Sequence, residues 1–184
     1  MHSRTTHNIS IIVTIILVTM FFSCKNNFKE VQKIGISENE PIGIAKNISL
    51  KYTDSAKLKA HLISPMMLDY SNRDFAYNEF PEGINLDLYD DNDNKNTVVS
   101  DYAIVYDKTN LIDLQGNVVL TTYDGNILNA DQLYYDQEKE WLFTNSKVKF
   151  TTKDQIINGN GFDSNMDFST ARVLEITGYV YLDE

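Results

Sequence analysis

The chain has 184 residues, with 16 Lys+Arg against 26 Asp+Glu, a formal charge of −10. Such a balance repels nucleic acid and anionic headgroups, which excludes partners held mainly through phosphate. With one cysteine and three histidines, disulfides, thiolate chemistry and His/Cys zinc sites have almost nothing to build on.

Arg4 and two histidines precede an apolar run of 14 residues, Ile9 to Phe22, that ends at Ser23-Cys24. At about 1.5 Å per residue the run is too short for a ~30 Å hydrocarbon core, yet it suits the apolar region of a signal peptide. A small residue before the lone cysteine is the pattern of a bacterial lipoprotein signal, although Phe21 stands where Leu is usual. The expectation is a signal peptide over 1–23 and an acylated Cys24, with an uncleaved anchor starting near Ile9 as the alternative. Either way the body is exported and tethered. Without 1–23 the chain keeps 15 Lys+Arg against 26 Asp+Glu, a formal charge of −11. Residues 24–41 lack apolar period and read as the lipidated cysteine and a flexible tether.

From Ile42 to Glu184 short alternating segments are separated by turn residues, the pattern of one all-β domain. Strands are expected over 43–53, 56–64, 66–70, 76–80, 84–90, 97–106, 111–115, 117–123, 126–136, 140–144, 148–152, 155–163, 172–177 and 179–182. Tyr123-Asp124-Gly125-Asn126 is typical of the connections, since Gly and Asn supply the positive φ of tight hairpins.

A period emerges when the later segments are superposed. The segment from Val98 matches that from Ile127, with Asp101 opposite Asp131, and a third copy from Ile156 puts Asn160 in the same column. Each is followed by a strand opening on a small residue, Gly116, Ser146 or Gly178, so the unit repeats at 29 to 32 residues. A looser copy runs from Leu58 to the segment at Gly83. Units this small cannot bury an apolar face alone and must stack into a continuous sheet or flattened barrel. The Asp column is expected at a strand end, with the carboxylates accepting backbone amides of the adjacent turn.

Little else carries chemistry. His61 is the one histidine outside the leader and lies between Ala60 and Leu62 in a strand, where a surface role without catalytic duty is expected. The acids fall in turns and repeat columns, which speaks against a glycosidase pair. The loop 89–96 has alternate Asp90, Asn92 and Asn94, but Lys95 stands where a calcium loop needs Gly, so a solvated hairpin loop is expected. Asn47-Ile48-Ser49 matches a glycosylation acceptor without consequence in a bacterial lipoprotein. The strand tyrosines, Tyr102, Tyr106, Tyr134, Tyr135, Tyr179 and Tyr181, are expected to pack with their hydroxyls at the sheet rim. No enzymatic activity, cofactor or metal is expected.

The membrane signal, the repeated Ala/Ser-Asp-x-Ala/Leu followed by Tyr-Asp, and Gly116-Asn117-Val118 heading the next strand together resemble the LptC family of lipopolysaccharide-export proteins, over roughly 44–182. The resemblance implies a twisted β-jellyroll, slightly open along one side, of the kind shared with LptA and the periplasmic part of LptD. It implies an apolar interior for the acyl chains of lipid A, with lipopolysaccharide accepted from an inner-membrane ABC transporter and passed to an LptA-like periplasmic bridge by edge-to-edge strand pairing. Better-known members keep a transmembrane helix where this chain has Cys24. Two physical arguments agree with this reading. An anionic domain must hold an anionic glycolipid by acyl burial, at about 0.8 kcal/mol per CH₂. An open stack of repeats also leaves strand edges free for augmentation.

Alternation before the Asp column assigns the lipid-binding face to Val98, Ser100, Leu128, Ala130 and Ile157 with Gly159, and the following strands add Val118, Leu120, Val148 and Phe150. Small Ser100, Ala130 and Gly159 either widen a groove or relieve crowding in a filled core. Ile44, Ile48 and Leu50 are the candidate edge toward the transporter, and Val173, Leu174 and Ile176 the edge toward the bridge. The competing reading is a structural or glycan-binding β-repeat lipoprotein, with a filled interior and aromatics on an outer face.

Overall fold

The computed structural model describes residues 40–181; the expected signal peptide, Cys24 and all but the end of the tether lie outside them, as does Leu182. Regular structure within them is strand alone: β1 Gly43–Asp54, β2 Lys57–Asp69, β3 Tyr77–Phe80, β4 Ile84–Tyr89, β5 Lys95–Ser100, β6 Tyr102–Tyr106, β7 Leu111–Thr121, β8 Ile127–Asp136, β9 Trp141–Thr151, β10 Gln155–Asn165, β11 Arg172–Val173 and β12 Ile176–Tyr181. They form one twelve-stranded sheet in the order β11-β10-β9-β8-β7-β5-β4-β2-β3-β6, with β1 on β2, β12 on β10, and β6 also on β7. Every pairing is antiparallel.

This order is explained by a single bend. Register is interrupted between Gln115 and Val118, between Ala130 and Tyr134, and between Asn160 and Phe162. In line with these breaks β5 gives way to β6 at Asp101, β3 to β4 at 81–83, and β11 to β12 at 174–175. Positive φ recurs along the same row, at Asn47, Gly83, Gly116, Asn117, Gly161 and Glu175. Left-handed backbone interrupts a ladder and swings the strand, and Gly and Asn tolerate it best. The row divides the sheet into half I, with β4, β5, β12 and segments 48–54, 57–63, 118–121, 127–130, 148–151 and 155–159, and half II, with β3, β6, β11 and the remaining segments.

Folding along the row brings the two inward faces together. Leu62, Leu86, Leu88, Val98, Val118, Leu120 and Leu128 from half I join Phe80, Ala103, Ile112, Leu114, Leu133, Leu142 and Phe162 from half II in one core cluster. Phe150 meets Phe162 across it at 5.5 Å between ring centroids. Buried Asn96 ties the halves by donating Nδ2–H to the Met166 carbonyl at 2.8 Å and accepting the Tyr123 N–H at 2.9 Å. The all-β jellyroll expected from the sequence is therefore the fold.

Two expectations are corrected. Of the column, Asp101 falls at a strand end, between β5 and β6, but Asp131 and Asn160 lie inside β8 and β10 on the bend row, and Asp101 accepts the side-chain amide of Asn117 at 2.6 Å rather than a backbone amide. Segments expected as separate strands on either side of Pro65, Gly116 and Asn145 are single strands bent in their middle, whereas 97–106 is interrupted at Asp101. Strong local turn residues mimic a strand end when they serve a bend.

Gly83 shows how tight the row is. Its φ is +78°, and an added Cβ would lie 2.4 Å from the Ser100 carbonyl oxygen, whereas Gly125, at φ +90° in a hairpin, has open space around it. Gly83→Ala is expected to cost about 3 kcal/mol or more, and Gly125→Ala about 1 kcal/mol, by urea unfolding. Equal costs would contradict the structural role of the row.

Candidate functional site

The core is not evenly filled. At the β1–β2 margin a cavity of about 210 Å³ remains between the halves, lined by Leu50, Tyr52, Ala60, Leu62 and Leu86 from half I and by Met67, Phe80, Val105, Ile112 and Tyr135 from half II, with Lys51, Asn78 and Gln137 beside it. It exists because β1 ends the sheet. Leu50 and Tyr52 pair with Leu62 and Ala60 and line the cavity, yet they are 48% and 63% exposed. Deeper in, Leu62, Phe80, Leu86 and Ile112 are buried. The result is an apolar cleft with a hydrophobic mouth and floor.

One end of the cleft is polar. A second depression of about 280 Å³ shares Tyr52, Ala60, Tyr135 and Gln137 with it and adds Asp54, Lys59, Glu138, Glu140 and Met166. Lys59 latches the halves there, with Nζ at 2.6 Å from Asp91 of half I and 4.0 Å from Glu140 of half II. Its ammonium pKa is raised by the hydrogen bond to Asp91. Tyr135 donates its hydroxyl to the Met166 sulfur at 3.3 Å, and burial pushes that hydroxyl far above its ordinary pKa.

The residues assigned from alternation do face inward. Val98, Ser100, Val118, Leu120, Leu128, Ala130, Val148 and Phe150 are each 8% exposed or less, and Ile157 is half-buried. They form the filled end of the interior, away from the cleft. The row of small residues is occupied: a Cβ on Gly159 would meet the Leu174 carbonyl at 2.4 Å and Val173 Cγ1 at 2.5 Å, and Ser100 donates its hydroxyl to the Tyr102 carbonyl. Of the residues assigned to the lipid-binding face and the partner edges, only Leu50 lines the cleft, joined there by Tyr135 from among the strand tyrosines. The period was read from the regular copies, and the cleft is built by the looser first one. The alternation Ile84-x-Leu86-x-Leu88 and Leu62 were the signal available.

Ile44, Ile48 and Leu50 do lie on a sheet margin, since among the described residues β1 pairs with β2 alone; Val173, Leu174 and Ile176 lie at the other, where β11 and β12 pair with β10 alone among them. Ile44, Leu174 and Ile176 are exposed. His61 is half-buried on the outer face of half I, 2.7 Å from Ser49 Oγ. Asn47 serves the bend through its φ of 51°. The loop 89–96 is a hairpin connection: Asp90 Oδ1 accepts the N–H groups of Asn92 and Asn94, and Oδ2 accepts the Asn94 side-chain amide.

A bent β-jellyroll with an apolar cleft at one margin offers a surface on which an apolar chain can be buried. The sequence matches the family model described as lipopolysaccharide-assembly, LptC-related, over residues 9–181, and the chain belongs to that family. No curated protein matches it. Membership places the chain in lipopolysaccharide transport, in a family of transport components that is periplasmic and associated with the inner membrane. Among the described residues no helix is long and apolar enough to cross a membrane.

The rim beside the cleft titrates. Burial pushes the Asp90 carboxyl up, but the hydrogen bonds from Asn94 and Asn92 outweigh it and hold the pKa below its ordinary value. With the folded value depressed, the contribution is present above the unfolded value of about 3.9 and is lost as pH falls through the folded one. Asp90→Ala is expected to lower stability by about 1 kcal/mol near neutral pH. The gap to wild type closes on acidification in urea melts, and a gap independent of pH would contradict this account.

Proposed function

We propose that this protein is the component of the lipopolysaccharide transport system that accepts lipopolysaccharide from the inner-membrane ABC transporter and passes it to an LptA-like periplasmic protein, with acyl chains of lipid A held in the cleft. The observation that carries this is the cleft itself, apolar in mouth and floor, in a chain whose charge cannot attract an anionic headgroup. Binding then draws on burial of methylenes, each worth about 0.8 kcal/mol. Its 210 Å³ receives part of one chain. Further chains require the halves to part at β1, which opens onto the apolar row of Val98, Val118, Leu120, Leu128, Ala130, Val148, Phe150 and Ile157, with Ser100 at its end.

The two sheet margins suit partner strands, because each presents unpaired backbone groups to a neighbour. In this proposal β1, at Ile44, Ile48 and Leu50, faces the transporter, and Val173, Leu174 and Ile176 face the bridge. Residues 1–23 act as a signal peptide, Cys24 carries the lipid that tethers the protein to the inner membrane, 24–41 span the gap, and 42–184 form the working domain.

A photoreactive residue at Leu50 or Tyr52, both exposed enough to accept it, tests the site in cells. Lipopolysaccharide adducts are expected from these positions and not from Lys149 on the outer face of half I. An exported, folded protein that forms no adduct at the mouth would remove acyl binding in the cleft.

A further inference from the structure

The outer face of half II has a composition that neither the core nor the cleft explains. Glu79, Ile104, Asp113, Tyr134 and Phe143 lie side by side in register on neighbouring strands. One step along the strands, Tyr106, Leu111, Asp136 and Trp141 form a parallel row. Strands about 4.8 Å apart thus present rings and hydrogen-bonding groups at close, regular spacing.

Asp113 is the unusual member. It points away from the core, between inward Ile112 and Leu114, yet is only 6% exposed. No cation among the described residues compensates it; Oδ2 accepts Gln115 Nε2 and Oδ1 accepts Gln132 Nε2, both at 2.8 Å, and Gln132 also donates to the Tyr134 hydroxyl at 2.7 Å. A buried carboxylate must have its oxygens satisfied by hydrogen bonds, and here two glutamine amides do so. Its effect is to fix two amides and a phenol in one orientation. Tyr134 is further held by stacking on Phe143, centroids 5.2 Å apart at 23°. Trp141, the only tryptophan in the chain, is half-buried one row along and stacks on no other ring among the described residues. Trp141 pairs with Asp136, which makes it a diagonal neighbour of Tyr134, and diagonal neighbours on a sheet lie about 7–8 Å apart, within reach of aromatic side chains.

We propose that this face is a binding platform for neutral sugar residues, with Trp141 as the stacking surface and the Gln115–Asp113–Gln132–Tyr134 array as the partner of sugar hydroxyls. Rigid aromatic area beside preset amides is the chemistry that recognises a polyhydroxylated ring with one apolar face. The charges on the face are occupied. Glu79 takes the Tyr102 hydroxyl at 2.9 Å, Asp136 the Lys139 ammonium, and Asp163 the Arg172 guanidinium. Among the described residues Asp113 and Glu79 lack a cation, and Lys139 and Arg172 are engaged by Asp136 and Asp163, so a phosphorylated ligand meets net negative charge on this face. A cationic peptide is the weaker occupant, because the Asp113 oxygens are enclosed and already accept two bonds. The inference stands on the outer face alone and does not rest on acyl binding in the cleft.

Trp141 fluorescence reads the platform directly. The full chain, in a detergent without a sugar headgroup, is titrated with maltohexaose, with a chitin hexamer, with the dephosphorylated saccharide released from the cell's own glycolipid, and with hexalysine. A saturable spectral shift is expected with a saccharide; the glycolipid sugar and the chitin hexamer distinguish a lipid-linked source from a wall source. Gln132→Leu is expected to weaken binding about tenfold, while Asn129→Ala on the other half leaves it unchanged. No shift with any saccharide would overturn the proposal, as would equal affinity in Gln132→Leu. A shift with hexalysine alone would overturn it in favour of peptide docking.

Discussion

Everything in this fold depends on one row of backbone that is not extended. Where Asn47, Gly83, Gly116, Asn117 and Gly161 take positive φ, the long strands turn over together, and a single sheet becomes a two-layered sandwich. A flat sheet of this length would leave one apolar face in water. The bend encloses that face without any change of strand order. It also explains why the repeat has its period: each copy contributes one up-strand and one down-strand, and each must cross the row once. The recurring Asp or Asn belongs to that crossing, as the Asp101–Asn117 bond shows.

The enclosure is complete at one end and incomplete at the other. On the β9–β10 side each long strand has neighbours on both edges, Phe150 closes on Phe162, and the backbone at Gly159 is covered by Leu174. On the β1 side the last strand has one partner, its inward residues stand exposed, and a cleft remains. The polar latch of Lys59 with Asp91 and Glu140 bridges the halves only at the hairpin tips. Surface ion pairs of this kind contribute little, on the order of 0–1 kcal/mol. The open end is therefore the part that separates at least cost, which is what a site for a long apolar ligand needs.

The sequence disclosed the fold class, the inward face and both margins because these follow from a period of two and from a repeat. Val98, Leu120, Leu128 and Phe150 were assigned inward by alternation, and they are inward. It concealed the bend, because Pro65, Gly116 and Asn145 look like strand ends when read locally. Continuity through such residues is decided by partners far along the chain. It also concealed the cleft. Regular copies are easiest to align, and regular copies pack best; the departure of the first copy from the pattern is the reason it both escaped alignment and left space. Leu50 came to notice as an edge residue and lines the cleft for the same reason, its place on the last strand.

The two halves, though continuous, have different outer faces. Half I carries Asn129 and Lys149, the lysine without an ion-pair partner among the described residues. Half II carries rings, amides and a carboxylate buried without a cation. Strand propensity favours aromatic residues but does not call for Asp113, which replaces the cross-strand packing a β-branched residue would give with a charge that two glutamines must satisfy. A carboxylate enclosed on an outer face and held by two glutamines, set among ordered rings, marks a surface arranged for more than packing. In a jellyroll whose interior is apolar, the outer face of half II then adds a second chemistry, and one sheet presents an apolar surface inside and an array of rings and hydrogen-bonding groups outside.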